Sequence, residues 1–319
     1  MKVAFFGTPA FAVPTLEALI RSPHQVAAVV SQPDRPKGRG QQLQPTPTKQ
    51  IAVAHGIPVM QPARIRDAAF LQQIRDLGVD LGVVVAFGRI LPDDLLAIPR
   101  HGMINVHASI LPRYRGAAPI QRAVINGDLE TGVTIMRVEH DLDAGAMFAV
   151  STMPIPPDAT SGEMEAELAP IGARLLIEVV NAIEDGRATE TPQDHSQATL
   201  APKITKDEGV IDWSARADSI HDRVRGLQPW PLASTRLNGV RLVIRRTAPR
   251  TPPGPGHTAT EAALPAGTVV RAAGSEIVVA CGHGTYLEVL ELQPEGKRTM
   301  TAREFLAGRG VAEGARFTQ

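Results

Sequence analysis

Apolar and polar positions follow two different rhythms along this chain of 319 residues. In the first half, short apolar runs are separated by amphipathic stretches. Val3-Ala4-Phe5-Phe6 is such a run, closed by Gly7, and predicts a buried strand. Thr8-Pro9 and Pro14 then open a helix to about Ile20, with Leu16, Leu19 and Ile20 at helical spacing. Further strands are predicted over 24–31, 57–60, 81–86 and 103–107, and a helix over 67–77. The run 81–86 is almost wholly apolar, as a strand covered on both faces should be. This βαβα order predicts an α/β fold with a mostly parallel sheet and helices on both sides.

The second half changes rhythm. Residues 161–186 form a long amphipathic helix, with Leu168, Leu175, Leu176, Val179 and Val180 on its apolar face. Residues 187–206 are polar, carry Pro192 and Pro202, and read as a linker. Short strands follow over 233–237, 240–245, 267–271, 276–281 and 286–292, with Asn238-Gly239 as a hairpin turn. Strands so closely spaced suggest a small barrel. Residues 251–266 hold four prolines and read as an exposed loop. The division expected is 1–188, a linker 189–207, and 208–319.

Composition narrows the class. The hydrophobic fraction of 43% suits globular cores. The single cysteine, Cys281, forms no internal disulfide and fits a reducing compartment. The N-terminus does not read as a signal peptide, and no run approaches the roughly 18 apolar residues of a membrane helix. A soluble cytoplasmic protein without a membrane partner is expected. Net charge is zero, but the chain from Gly209 onward carries 14 Lys+Arg against 10 Asp+Glu. A modestly basic second half can track a phosphate backbone.

Candidate chemistry gathers after the fifth strand. Asn105 and His107 are two apart, so they share one side of a strand near its carboxyl end, where open α/β sheets bind ligands. An amide and an imidazole aimed at one spot can polarise a carbonyl and stabilise an oxyanion. The loop from Ser109 to Pro119 follows at once, with two arginines and a tyrosine among turn-formers. Farther on, Asp141 or Asp143 can meet His107 if residues 139–145 fold back over the sheet edge. A carboxylate there orients the ring and favours a protonated donor. Arg35, Lys37, Arg39 and Lys49 stand against one acid, Asp34, in a long loop ending near Thr48, which suits an anionic partner such as RNA. The first turn, Gly7-Thr8-Pro9-Ala10-Phe11-Ala12, lacks the dinucleotide fingerprint. No P-loop, CxxC or HExxH occurs, and the scattered histidines suggest no metal.

These segments resemble the methionyl-tRNA formyltransferase family over essentially the whole length. The resemblance rests on Phe6-Gly7-Thr8-Pro9, on Gln32 to Pro36 with Gly38-Arg39-Gly40, and on Ile104-Asn105-Val106-His107. It continues through Leu111 to Gln121, Thr131-Gly132-Val133-Thr134, Asp143-Ala144-Gly145, Ile211-Asp212-Trp213, Pro229-Trp230-Pro231 and Leu292-Gln293-Pro294. Ala108-Ser109-Ile110-Leu111-Pro112 departs from the family's usual Gly-Ser-Leu-Leu-Pro by small apolar changes. The resemblance implies a Rossmann-like catalytic domain and a C-terminal OB-like β-barrel that binds tRNA. It implies 10-formyltetrahydrofolate as formyl donor, no metal, and the amino group of initiator methionyl-tRNA as acceptor. It selects Asn105, His107 and Asp143 as catalytic residues. Ser109, Ile110, Leu111 and Pro112 are then placed at the folate site, with Phe87, Arg89, Ile90 and Leu91 around the pterin. Arg35, Lys37 and Arg39 fall in an insertion facing the acceptor stem, and Arg39 is the key contact expected there. A monomer is expected. The rivals are a formyltransferase acting on a small amine, such as a nucleotide sugar, and a non-catalytic RNA-binding module. The basic insertion favours tRNA.

Overall fold

In a computed structural model, residues 1–37, 42–251, 264–308 and 310–319 are described. The chain folds into two compact units. One comprises Met1–Pro119, Glu130–Pro154 and Met164–Pro202; the other comprises Ile120–Leu129, Ile155–Glu163 and Lys203–Gln319.

The first unit opens with β1 (Lys2–Gly7), α1 (Val13–Arg21) and β2 (Gln25–Val30). A small antiparallel ribbon follows, β3 (Arg35–Lys37) paired with β4 (Gln42–Gln44). Next come α2 (Pro47–Ala54), β5 (Val59–Met60), α3 (Ala68–Asp76), β6 (Leu81–Val85), the short α4 (Asp93–Leu96) and β7 (Met103–His107). The pieces β8 (Arg115–Gly116), α5 (Pro119–Ile125), β9 (Glu130–Arg137), β10 (Met147–Pro154), α6 (Ser161–Glu184) and β11 (Leu200–Ala201) complete the order up to residue 202. The main sheet runs β10-β9-β7-β6-β1-β2-β5. The five strands from β7 to β5 are parallel, and β9 and β10 are antiparallel. All of β6 and the interior of β1 are buried, which is why both read as unbroken apolar runs. The chain places β2 and β5 on one side of β1, then returns to lay β6 and β7 on the other. That creates a topological switch point between β1 and β6.

The Rossmann-like reading stands, with three differences. Sequence patterning predicted neither the antiparallel turn of β9 nor the edge strand β10, whose residues are nowhere fully buried and so show no apolar run. The long loop expected to end near Thr48 contains the β3–β4 ribbon, and its last part is helix. Pro47 opens α2, and the Thr46 hydroxyl accepts from the Lys49 N–H to cap it. The polar stretch read as a linker is anchored between residues 191 and 201. Thr191 bridges Met147, and β11 pairs in parallel with β8.

The second unit holds α7 (Ala217–Gly226), β12 (Ala233–Leu237), β13 (Val240–Arg250), β14 (Val269–Ala273), β15 (Glu276–Ala280), β16 (Tyr286–Pro294), β17 (Met300–Thr301), α8 (Ala302–Gly308) and β18 (Phe317–Thr318). Its antiparallel sheet runs β14-β15-β16-β13-β12-β18. Residues 314–318 bond to both of its edges. Val269 N donates to Ala315 O and Phe317 N to Gly267 O, while Phe317 pairs with Leu237 of β12. The sheet therefore curls into an OB-like barrel. Asn238 and Gly239 both take positive φ, as a two-residue hairpin turn requires. Trp213 stacks on Phe317 at 5.3 Å inside the barrel and donates its indole N–H to Thr235 at 3.0 Å. Of the proline-rich loop expected at 251–266, residues 252–263 lie outside the described residues, as does Arg39 of the basic insertion.

Candidate active site

Strand register fixes the site. Asn105 lies level with Val84, Val84 with Phe6, and Phe6 with Val30. His107 stands two residues beyond that row, where β7 gives way to a loop, and it shares one side of the strand with Asn105. Among the described residues no hydrogen bond engages the Asn105 carboxamide.

His107 is buried, and its Nε2 lies 2.9 Å from the Tyr114 carbonyl oxygen. A carbonyl only accepts, so Nε2 carries a proton and donates. Nδ1 is then the open edge of the ring. It lies 3.6 Å from Asp143 Oδ2, within ion-pair range but too far for a direct hydrogen bond. The bond that orients the imidazole therefore comes from Tyr114, where sequence pointed only to a carboxylate. Asp143 Oδ2 accepts from the Gly116 N–H at 2.8 Å. Asp141 is exposed and makes no bond to His107.

Three non-glycine residues at this edge take left-handed backbone: Ala86 at φ 46, Tyr114 at φ 63 and Asp143 at φ 48. Each such residue costs roughly 1–2 kcal/mol, so surrounding bonds must hold it. The Tyr114 N–H donates to Thr199 Oγ1 at 2.9 Å. The Asp143 carbonyl accepts from Gln193 Nε2 at 2.9 Å, and the same amide donates to Gly145 O at 2.8 Å. Gln193 Oε1 accepts twice from Arg115, at 3.1 and 2.7 Å. Arg115 is itself buried, and its other contact is His195 Nδ1 at 3.1 Å.

The candidate folate residues divide. Ser109 is buried and donates to Arg113 O at 2.6 Å. Thr134 Oγ1 donates to Ser109 O at 2.7 Å and accepts from Leu111 N at 3.2 Å, which pins the turn through Ile110, Leu111 and Pro112 beside β7. Phe87 packs edge-on against Phe6 at 5.7 Å, and Leu91 joins the same core. Ile90 instead faces out, 77% exposed. Arg89 donates to the carbonyls of Pro62 and Ala63, at the rim of a cavity of about 630 Å³ along β5 and α3 that contains none of the three candidate catalytic residues.

Of the basic insertion, Arg35 is exposed and donates to Gln32 Oε1 at 3.0 Å, and Lys37 ends β3. Lys49 differs from the sequence reading. It bonds Asp34 at 2.6 Å and Gln61 at 2.8 Å, so its charge is already matched within the fold. Those two partners hold the Asp34 carboxyl below its usual range, Lys49 contributing most.

Among the described residues, no helix is long and apolar enough to cross a membrane. No group of three or more His, Cys, Asp or Glu side chains is placed to hold a metal ion.

The formyl transferase family model matches residues 1–180, and the model of the formyl transferase C-terminal domain matches residues 203–310. The methionyl-tRNA formyltransferase of Heliobacterium modesticaldum is 48% identical over 317 residues, which cover 99% of this chain and 100% of that protein. That of Methylococcus capsulatus is 47% identical and covered to 98%, as is this chain. The chain belongs to the methionyl-tRNA formyltransferase family. The N-formyltransferase of Helicobacter canadensis, solved with folinic acid and dTDP-3-aminofucose, has a TM-score of 0.68 at 16% identity, over 92% of this chain and 99% of that one. At that identity the likeness is one of fold.

For a methionyl-tRNA formyltransferase, the residues that sequence reading passed over are the supports: the Tyr114 carbonyl, Thr134, Gln193 and Thr199. A main-chain carbonyl carries no side-chain signal. Gln193 sits in a polar stretch that looks solvated, and its one available clue was a lone glutamine just after Pro192.

Proposed function

We propose that this protein transfers the formyl group of 10-formyltetrahydrofolate to the α-amino group of initiator methionyl-tRNA. What carries the reading is the unengaged Asn105 carboxamide beside the open Nδ1 edge of His107, with Asp143 3.6 Å away.

The neutral methionyl amine attacks the formyl carbon, and a tetrahedral adduct forms with negative charge on the former carbonyl oxygen. Asn105 Nδ2 and His107 Nδ1 donate to that oxygen, each worth about 3–4 kcal/mol where measured at comparable donors. Tyr114 keeps the ring fixed through Nε2, so no reorganisation is needed as charge develops. The amine proton leaves through Asp143 and water. The bond from the formyl carbon to N10 of the folate then breaks, N10 takes up a proton, and N-formylmethionyl-tRNA and tetrahydrofolate are released. Ser109, Ile110, Leu111 and Pro112 border the donor, and residues 87–91 flank its pterin. There Ile90 and the backbone make the contacts, because Phe87 and Leu91 are committed to the core. Arg35, Lys37 and Arg39 meet the phosphates of the acceptor stem, and residues 208–319 add a second tRNA surface beyond the catalytic residues 1–188 and the connector 189–207. The enzyme works as a monomer in the cytoplasm and uses no metal.

The test is formyl transfer to charged initiator tRNA, run beside uncharged tRNA and small amines including an amino-sugar nucleotide. Charged tRNA should be formylated at least a hundredfold faster than any small amine. Preferential formylation of the sugar nucleotide would overturn the reading in favour of a small-amine enzyme.

A further inference from the structure

A second crevice, of about 500 Å³, opens at the switch point of the sheet. Its floor is Thr8 and Pro9 after β1, Gln32 after β2 and Ala86 after β6. Each of these strands pairs in register with its neighbour. Thr8, Gln32 and Ala86 each stand two residues beyond the row shared with Asn105, as His107 does. At a strand spacing of about 4.8 Å, Ala86, Thr8 and Gln32 are offset from His107 by about 5, 10 and 14 Å. The crevice is therefore a neighbour of the candidate reacting centre and contains none of its residues.

The walls have an unusual chemistry. Pro33, Pro36, Pro45 and Pro47 join Pro9 and Ala86. Their flat rings are fixed in φ and lose no rotamer freedom when a planar ligand is laid between them. The polar groups around them are the carboxamides of Gln32, Gln44 and Gln50 and the Arg35 guanidinium, and no carboxylate lines the space. Carboxamides match the N6–N7 edge of adenine, and the guanidinium suits a phosphate beside it. A cation or an amino sugar would find no charge partner here.

We infer that this crevice receives the 3′-terminal adenosine of the charged tRNA. This rests on the acceptor proposed above. In an aminoacyl adenosine about seven covalent bonds separate the α-amine from the base, a reach on the order of 9 Å at ordinary bond lengths. That span places an amine at His107 and a base above the ends of β1 and β2. Gln44 and Gln50 read the base edge, the prolines sandwich the ring, and Arg35 holds the preceding phosphate. The methionyl group is thereby delivered to the reacting centre by its own nucleoside.

The test compares three acceptors at a saturating formyl donor: initiator methionyl-tRNA, methionyl-adenosine ester and methionine methyl ester. Methionyl-adenosine should exceed the methyl ester at least tenfold in kcat/KM, and free adenosine, but not cytidine, should compete with it. The double variant Gln44→Ala, Gln50→Ala changes two exposed side chains, so its fold is checked simply by an unchanged melting temperature. It should bring the tenfold preference to within twofold of unity, mainly through KM. If methionyl-tRNA is formylated while the two small esters react alike, or if the double variant keeps the full preference, the nucleoside site is overturned and the activity stands. Failure to formylate methionyl-tRNA itself would instead overturn the activity.

Discussion

Replacing Gln193 with leucine removes four hydrogen bonds at nearly constant volume. The side chain is buried, donates to the carbonyls of Asp143 and Gly145, and accepts twice from Arg115. Two neutral bonds at about 1 kcal/mol each, plus about 1.5–3 kcal/mol for the charge-assisted acceptor, sum to roughly 3–5 kcal/mol. Arg115 keeps only His195 at 3.1 Å, so relief from that side is small. Urea unfolding should register most of this loss. The catalytic effect has a separate origin. Asp143 is held at φ 48, and without the bond to its carbonyl it relaxes toward ordinary backbone and carries its carboxylate away from His107. At 1.36 kcal/mol per tenfold, loss of a positioning interaction worth about 1–3 kcal/mol lowers kcat by about ten- to a hundredfold. Gln193→Glu separates the two effects. It restores an acceptor for Arg115 but no donor for the two carbonyls, so stability should return in part while kcat stays low. A leucine variant that turns over within twofold of the parent would refute the claim that this buried glutamine positions Asp143.

Other perturbations read other parts of the molecule. Asn105→Ala should lower kcat by about 10²–10³, the usual effect of removing one oxyanion donor, with little change in donor binding measured by equilibrium titration. His107→Ala and Asp143→Ala should each lower kcat by orders of magnitude in single-turnover assays while folate still binds. Thr134→Val leaves Ser109 O and Leu111 N without their buried partner, so it should cost about 2–4 kcal/mol in chemical denaturation and raise KM for the formyl donor. In the second unit, Arg298 first and then Thr301 pull the Glu304 carboxyl down to about 2, and Thr301 and Glu304 cap α8 reciprocally. A carboxyl lowered on folding stabilises above its ordinary pKa near 4.5, and that contribution fades as pH falls toward 2. Thermal melts of Glu304→Gln should therefore differ from the parent above pH 4.5 and converge with it near pH 2. Burial pushes the Cys281 thiol up to about 12, so it should resist alkylation at pH 8 in the folded protein and react promptly in denaturant.

Much of the fold was legible because burial leaves a linear trace. The strands β1, β2, β6 and β7 lie under helices on both faces, so each had to be an apolar run, and the pattern located them to within a residue or two. The pairing of Asn105 with His107 was also legible, since a period of two on a strand is a local property. The antiparallel β9 and the edge strand β10 were not, because strand direction and an exposed edge leave no apolar signature. The choice between Asp141 and Asp143 likewise lay beyond residue pattern, since nothing in Asp-Leu-Asp says which carboxylate meets His107; family resemblance selected Asp143, and the fold sets its Oδ2 3.6 Å from the ring. By itself the sequence determined the elements, the parallel core and the two side chains that β7 presents. Only the tertiary structure decided that Tyr114 orients His107, that Lys49 is neutralised by Asp34, and that Gln193 reaches across 50 residues of chain to hold Asp143. Periodicity records which side of one element faces the core, whereas a hydrogen bond between distant segments depends on where the whole chain has placed both of its ends.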